Sequence, residues 1–539
     1  MPIPTGGAWP PPQLAPAYQA YRDWDAWYTG DADQLRAVYA NRGLRGQLAS
    51  PKVRAGQYAG GLTGLVSRFL WGAPAPATGR DGRLHIPLPA DLATAAANLV
   101  FSEPPKLTAE NAQVQERIEQ LIEDGLYTLL LHAAEANSAL GDVYLRPVVD
   151  EEVLPGRAFL ATVHADGAIP TLRWGRLVEV TFWSTLLVDG DTHVRLLEHH
   201  EVVNGAGRIV YAVYEGKADH LGRVVPLTEY ADAAHLADLL DEDGVQPTGL
   251  KRLDVVRFPN AGPQRKWRTM AGLKYLGRSD YDGNEPVFDA LDDVWTSWMR
   301  DIRLARGRIV VPEYMLQSNG PGQGATFDAE REVFATVQAM PNMQGASVGI
   351  TPVQFAIRVA EHKESADEIQ QVAMRHAGMS GQTLGDEGGD VAMTATEAQA
   401  RERLSFTTRG ARITGTWRPG IADLTELLLE LEAIRFRGPA PERPNVEFGD
   451  SVSESPETMA RTAQLLFAAQ AVSIDTRVRM VHPDWDDAQV REEVERIKTE
   501  NGGGEDPESV IGGAAGNRPP PGAEEDDAET EEEEAPAEE

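Results

Sequence analysis

The strongest constraint on the fold is a single amphipathic stretch over residues 286–306. Pro286 suits the first turn of a helix, where a backbone donor is not needed. Apolar residues then recur every three or four positions and predict one continuous helical stripe: Val287, Leu291, Val294, Trp298, Ile302 and Ala305, widened by Phe288, Trp295 and Met299. A stripe of this width has to be covered by other parts of the chain or by a neighbouring subunit.

The order of segments after this helix favours an assembly component over a lone enzyme domain. Residues 307–351 lack helical period and contain Pro312, Gly320-Pro321-Gly322 and Pro341, which predicts short strands and turns. A second helix is expected over 352–376, with Thr351 as its N-cap and Pro352 at its first position. A glycine-rich, acidic loop and a long helix over 394–437 follow, and the helix is expected to kink at Trp417-Arg418-Pro419-Gly420.

The residues before 286 predict a mixed region, so the fold class is α+β. A Pro- and Gly-rich arm is expected over 1–16, a short strand over 84–88, and helices over 90–100 and 110–138. An insert at 230–245 is predicted to be helical and is acidic. Four β-rich runs then predict an antiparallel sheet, and they cover 143–149, 159–163, 177–183 and 209–214.

Charge and composition exclude several classes of protein. The formal net charge is −33, and the segment 501–539 holds fourteen acids against one base, Arg518. A chain this acidic does not fit a protein that binds nucleic acid tightly through lysine and arginine. The tail over 503–539 is expected to be disordered. There is no cysteine, no apolar run of membrane-spanning length and no signal-peptide pattern at the N-terminus. The sequence is therefore expected to have no membrane association.

A search for catalytic constellations gives no enzyme, no cofactor site and no metal site. The glycine-rich loop over 378–390 is not followed by the lysine and hydroxyl residue of a Walker motif. His199-His200-Glu201 lacks the helical spacing of a zinc peptidase and is interpreted as a surface cluster. Asp292-Asp293 is interpreted as a solvated pair on the polar face of its helix, and the loop acids Asp386, Glu387 and Asp390 as solvated side chains.

Three sequence segments resemble the portal proteins of tailed double-stranded DNA bacteriophages, in the SPP1-like portal branch found in phages of actinobacteria. The first is Trp24-Asp25-Ala26-Trp27-Tyr28-Thr29-Gly30-Asp31. The second runs from His85-Ile86-Pro87-Leu88-Pro89 to Ser102-Glu103-Pro104-Pro105. The third combines Asp289-Ala290-Leu291-Asp292 with Thr394-Ala395-Thr396-Glu397. They occur in the same order as in that family, around the helical plan described above.

The resemblance implies a domain layout that covers the whole chain. It consists of a flexible arm (1–16), a wing (17–285, with 377–437 contributing), a first stem helix (286–306), a clip (307–351), a second stem helix (352–376), a tunnel loop (377–393), a long kinked helix (394–437), a crown (438–502) and the disordered tail (503–539). The implied tunnel-loop residues at the DNA channel are Gln382, Thr383, Asp386, Glu387 and Asp390, and Trp295 and Trp298 are the implied subunit contacts.

The resemblance also implies a function and a set of partners. The chain would form a twelve-fold ring at one capsid vertex, the channel for DNA packaging and ejection. Its partners would be double-stranded DNA, the large terminase subunit, the head–tail adaptor, and the major capsid and scaffolding proteins. It would lie in the virion, and in the host cytoplasm during assembly. Two other classes stay open: a different structural virion protein, such as a minor capsid or head-completion protein, and an enzyme such as a nuclease or the packaging ATPase.

Overall fold

The structure is a computed structural model, and its described residues fall into two units. They are 6–43, 83–304, 308–310, 317–318, 325–326, 351–353, 357–381, 395–449, 463–467, 469, 472–482, 485 and 487–500. One compact unit spans Met1–Gly449 and the other Asp450–Glu539. The fold class is α+β, as the sequence predicts.

The larger unit contains nine labelled helices among its described residues. In chain order they are α1 (Ala15–Thr29), α2 (Ala32–Gly43), α3 (Leu88–Val100), α4 (Ala112–Glu123), α5 (Leu126–Leu140), α6 (Glu285–Leu304), α7 (Val359–Ala377), α8 (Ala395–Arg412) and α9 (Arg418–Arg435). Short helical turns also occur between Ala231 and Leu239, within the insert expected to be helical.

A six-stranded antiparallel sheet forms the β part of this unit. Its strands are β4 (Ala168–Arg173), β5 (Arg176–Asp189), β6 (Thr192–Val203), β7 (Ala206–Lys217) and β8 (His220–Val225), in that spatial order, with β9 (Gln246–Pro247) beside β7. Tight loops join the long strands: Asn204 and Gly205 form the two-residue connection from β6 to β7, with φ values of 53° and 80°. The Asn-Gly pair favours such a left-handed loop, which fixes the register of the two strands.

Shorter strands complete the β structure of the larger unit. A three-stranded antiparallel sheet has the order β10 (Val256–Pro259), β2 (Asp142–Val148) and β3 (Phe159–His164). Three antiparallel pairs are described besides: β1 (Lys106–Thr108) with β15 (Asn445–Glu447), β11 (Arg308–Val310) with β14 (Thr351–Val353), and β12 (Gln317–Ser318) with β13 (Ala325–Thr326). The predicted antiparallel pairing is therefore present, but the four β-rich runs are divided between two sheets instead of forming one.

Two large apolar clusters hold the helices in place. Trp24 and Trp27 of α1 are fully buried in the first cluster, which also includes Phe288 and Leu291 of α6 and Ala373 of α7. The second cluster is formed chiefly by α4, α5, β2 and α9. Burying an aromatic side chain removes a large apolar area from water, so α1 fixes the inner end of α6.

The N-terminal arm packs against the six-stranded sheet over the first of its described residues. Trp9 is buried, and its backbone N–H donates to the Asp219 carbonyl at 2.8 Å. Its ring contacts that of Trp183 edge-on, with 5.3 Å between the ring centroids. The Leu221 N–H donates to the Gly7 carbonyl at 2.8 Å. The arm therefore pairs with the outer strand of the sheet and covers its backbone groups.

Two predicted helices have different limits in the structure. The single helix expected over 110–138 is divided into α4 and α5, because Gly125 adopts a left-handed φ of 98° between them. The helix expected to begin at Pro352 begins instead at Val359, and Pro352 lies in β14 opposite Ile309. A two-stranded ladder consists only of edge strands, so it tolerates a proline that a central strand would reject.

The long helix changes its hydrogen-bond pattern beside the position where the sequence predicts a kink. Residues Ile413–Trp417 form a π-helical turn between α8 and α9, and Pro419 follows its last residue by two positions. A π turn and a proline each displace the regular hydrogen-bond ladder. Trp417 is buried against Phe258, with 4.9 Å between their ring centroids, so this irregular turn is packed against the three-stranded sheet.

The smaller unit is helical where it is described. Residues 463–467 are helical, and α10 (Ile474–Val481) and α11 (Asp487–Glu500) follow. Ser473 caps α10 by accepting a hydrogen bond from the Thr476 N–H at 3.2 Å. The expected disordered tail, 503–539, lies outside the described residues.

Candidate functional site

The helix pair formed by α6 and α7 is the candidate assembly surface. Its inner end is fixed by the Asn284 side chain, which donates to the carbonyls of Asp280 and Ala373 at 3.0 Å each. Glu285 adds an anchor to α1, because its Oε1 accepts from the Trp24 indole at 3.1 Å. These bonds satisfy groups at a buried helix end that would otherwise be unpaired.

The middle of the pair is an aromatic stack. The ring centroids of Trp295 and Trp298 lie 4.9 Å apart, and His362 of α7 stacks on Trp298 at 6.0 Å with planes only 9° apart. Among the residues that the structure describes, neither indole N–H has an acceptor, although both nitrogens are buried. A buried indole donor normally finds a partner, so these two groups are unusual within a single subunit.

The outer end of the pair leaves apolar side chains in water. Ile302 of α6 is 39% exposed, Ile357 is 38% exposed, and Val359 at the start of α7 is 48% exposed. We call these three residues the apolar end. Beside them, Asp301 accepts from Arg358 Nη2 at 2.9 Å and lies 3.0 Å from His362 Nε2, which ties the two helices together. The pair is thus anchored at one end and apolar at the other.

The exposed face of α7 is acidic. Glu361, Glu364 and Glu368 are all exposed and recur at helical spacing, so they form one stripe. Glu368 also pairs with the exposed Arg375 at 3.5 Å, so the stripe ends beside one basic side chain. The remaining carboxylates repel a phosphate backbone.

Asp292 is a buried organising residue, and its interpretation as a solvated residue is wrong. Its side chain is only 1% exposed, and it accepts from the Tyr39 hydroxyl at 2.5 Å and the Ile86 N–H at 2.9 Å. His85 Nδ1 lies 3.0 Å away. Burial, followed by the bond to Asp292, raises the pKa of Tyr39 well above its usual value. Of the two adjacent aspartates, only Asp293 is exposed, and its carboxylate pairs with Arg83 at 2.7 Å.

These contacts also correct the strand predicted over 84–88. The segment is extended, but its backbone donors bind side chains of α6 instead of a second strand: Leu84 N–H donates to Thr296 Oγ1 at 3.0 Å. The sequence does indicate that Asp292 faces the core. Asp292 follows Phe288 by four residues and precedes Trp295 by three, which places it on the apolar side of the helix.

His199 and His200 are buried, so their interpretation as a surface cluster is also wrong. Both lie on β6, 3% and 0% exposed. His200 lies 2.9 Å from the Asp254 carboxylate and 3.3 Å from Glu198. Burial opposes the charged imidazole, but the two carboxylates outweigh it and raise the pKa of His200 to about 9. This residue belongs to a buried charge network that also contains Arg146.

His199 belongs to a different group on the same sheet. One possible ligand atom from each of His199, Glu179 and Glu201 lies within 4.8 Å of the other two. Among the described residues, this is the one cluster of side chains that could hold a metal ion. The predicted channel residues Gln382, Thr383, Asp386, Glu387 and Asp390 lie outside those residues. Trp295 and Trp298 are brought together on α6, as described above.

The comparisons with known proteins are sparse. No family model matches the chain, and no curated protein does. One solved structure that the chain resembles is described as the neck of an empty GTA particle computed with C6 symmetry, at 13% sequence identity and a TM-score of 0.38, covering 78% of this chain and 99% of that chain. An alignment at that TM-score does not establish a shared fold. In the described part of the chain, no helix combines the length and apolar composition that crossing a membrane requires.

Proposed function

We propose that this chain is a structural protein of a tailed bacteriophage, and specifically its portal protein. Copies of it form a ring at one capsid vertex, through which double-stranded DNA is packaged and ejected. The terminase and the head–tail connector dock on that ring. The chain acts as a channel and a docking platform, with no catalytic role of its own.

The observation that carries the proposal is the construction of the α6–α7 pair. The two helices are joined through residues 305–358, and the described residues anchor them in the core at their inner end. Two buried indole donors without acceptors and an apolar end remain on the pair. A neighbouring copy packed against this surface would cover the apolar end. Lateral packing of copies around an axis closes into a ring.

The order of sequence motifs supports the same proposal. Residues from each of the three segments that resemble portal proteins meet in space: Trp24 and Trp27 on α1, the extended segment around His85, and Asp292 on α6. These motif residues therefore build the base of the helix pair. The tunnel loop and its acidic residues remain predictions from the sequence.

Electron microscopy of the purified full chain tests the proposal. A ring with a central hole is the expected particle. A compact monomer that hydrolyses nucleotide or cuts DNA would contradict it in favour of an enzyme. Particles of fixed size without an axial hole would instead favour a minor capsid or head-completion protein.

Two substitutions test the assembly surface directly. Trp298→Asp places a charge among apolar groups at a cost of several kcal/mol, and Ile302→Asp charges the exposed apolar end without disturbing the core. We expect both proteins to lose the ring, measured by size-exclusion chromatography with light scattering, while circular dichroism shows the β signal unchanged. Arg300→Asp, on the exposed side of α6, should still assemble. Intact rings from the Ile302→Asp protein would exclude this surface as a subunit contact.

A further inference from the structure

The β5–β6 pair carries a cluster of side chains that the proposed function does not use. Thr181 and His199 are direct cross-strand partners, so they share one face of the sheet. Glu179 and Glu201 lie two residues away along their strands and therefore on that same face. An imidazole and two carboxylates are in this way brought together from adjacent strands.

The imidazole is held in one orientation by its neighbour. His199 Nδ1 lies 2.8 Å from Thr181 Oγ1, a hydrogen-bond distance. The other ring nitrogen, Nε2, is buried and makes no hydrogen bond. Glu201 Oε2 lies 3.6 Å from this nitrogen, which is too long for a hydrogen bond. The ring is fixed at one nitrogen and directs the other into the carboxylate cluster.

Glu201 is positioned in the same manner. Its Oε1 accepts two bonds from Arg208, at 2.9 Å from Nε and 2.7 Å from Nη2. This pairing holds the carboxylate while Oε2 faces His199. Outer groups that fix the ligands, as Thr181 and Arg208 do here, are characteristic of protein metal sites.

We propose that Glu179, His199 and Glu201 bind one divalent cation of the zinc class. One imidazole nitrogen and two carboxylate oxygens form a mixed donor set, which suits Zn²⁺ better than the oxygen-preferring Mg²⁺ and Ca²⁺. Bonds of about 2.0 Å put tetrahedral ligand atoms about 3.3 Å apart. The atoms here lie within 4.8 Å of one another, so side-chain shifts on the order of 1 Å complete the site. The ion links β5 to β6 and leaves one position for water.

The test uses the full chain, first treated with chelator and then titrated with ZnCl₂. We expect calorimetry to give one tight site per chain and the melting temperature to rise until that site is saturated, because an ion that binds only the folded state stabilises it. MgCl₂ at the same concentration should leave the melting temperature unchanged. X-ray absorption of the zinc complex should show one nitrogen and two carboxylate oxygens from the protein.

Variants separate this site from adventitious binding by a strongly acidic chain. His199→Phe should lose the tight site, and Glu179→Gln with Glu201→Gln should weaken it at least tenfold. His235→Gln removes an exposed histidine elsewhere and should bind as the unaltered protein does. Equal zinc affinity in the unaltered and His199→Phe proteins would overturn the proposal. If His199→Phe does not fold, unchanged affinity in the double carboxamide variant would overturn it equally.

Discussion

Arg412 and Asp280 form a buried ion pair in the larger unit. Arg412 Nη2 donates to both carboxylate oxygens at 2.7 Å, and Asp280 also accepts from Ser138 Oγ at 2.6 Å and Asn260 Nδ2 at 3.0 Å. Arg412→Met leaves a buried carboxylate without its cation. We expect the free energy of unfolding to fall by about 3–5 kcal/mol, measured by urea denaturation.

An exposed arginine on the neighbouring helix gives the control for this loss. Arg418→Met removes the same charge from the first position of α9, and its effect should stay within about 0.5 kcal/mol. Adding Asp280→Asn to Arg412→Met should recover part of the stability, because the carboxamide needs no counter-charge. Equal losses for Arg412→Met and Arg418→Met would mean that the buried pair contributes nothing specific.

Single residues also show where sequence reasoning reaches its limit. The spacing of apolar residues placed Trp295 and Trp298 on one helix face, because that pattern is local. The burial of Asp292 depends on Tyr39 and His85, which are 253 and 207 residues away in the chain. The periodicity of a short segment does not reveal partners that lie so far away in the sequence. The same reason explains why His199 and His200 were interpreted as surface residues.

At the scale of elements, two glycines near the π turn test how tightly it is packed. A Cβ added at Gly415 would meet nothing within 4 Å, whereas one at Gly420 would lie 2.3 Å from Phe258 Cε1. We expect Gly415→Ala to raise the free energy of unfolding by about 0.5–1 kcal/mol by reducing backbone freedom. Gly420→Ala should lower it by about 1–3 kcal/mol through overpacking. Thermal unfolding compares the two, and a stabilising Gly420→Ala would show that Phe258 yields at no cost.

The limits of elements were predicted less well than their existence. The helix at 286–306 and the antiparallel strands were predictable because their periods extend over many residues. Pro352 is compatible with both a helix start and an edge strand, and only pairing with Ile309 decides between them. Gly125 ends one helix and precedes another because it adopts positive φ, and a glycine in the sequence does not reveal its φ.

At the scale of the whole molecule, the proposed function as a DNA channel depends on the charge that the ring presents to DNA. The chain carries a formal net charge of −33, so a ring of copies presents a strongly acidic surface. Lysine or arginine contacts to phosphate attract DNA regardless of sequence and would slow its passage. Repulsion from carboxylates is screened within about 8 Å at physiological salt, so it keeps the polymer away from the wall without holding it.

We propose in addition that α7 lines the channel of the ring, and its acidic stripe provides the test. Replacing Glu361, Glu364 and Glu368 with lysine converts the stripe into a phosphate-binding row. We expect the ring to assemble and DNA packaging to slow several-fold at low salt, with the rate recovering as salt is raised, because displaced counterions set the strength of binding. Packaging assays over a salt series measure both effects.

The control for this change is a second stripe with the same spacing, far from α7 in the sequence. On α4 the exposed residues Glu116, Glu119 and Glu123 also occur at intervals of three and four. Lysines at these three positions change the net charge by the same amount but lie on the proposed wing, so packaging should proceed normally. A matching slowdown in both variants would attribute the effect to overall charge. Normal packaging by the α7 variant in every salt would place that face away from the path of the DNA.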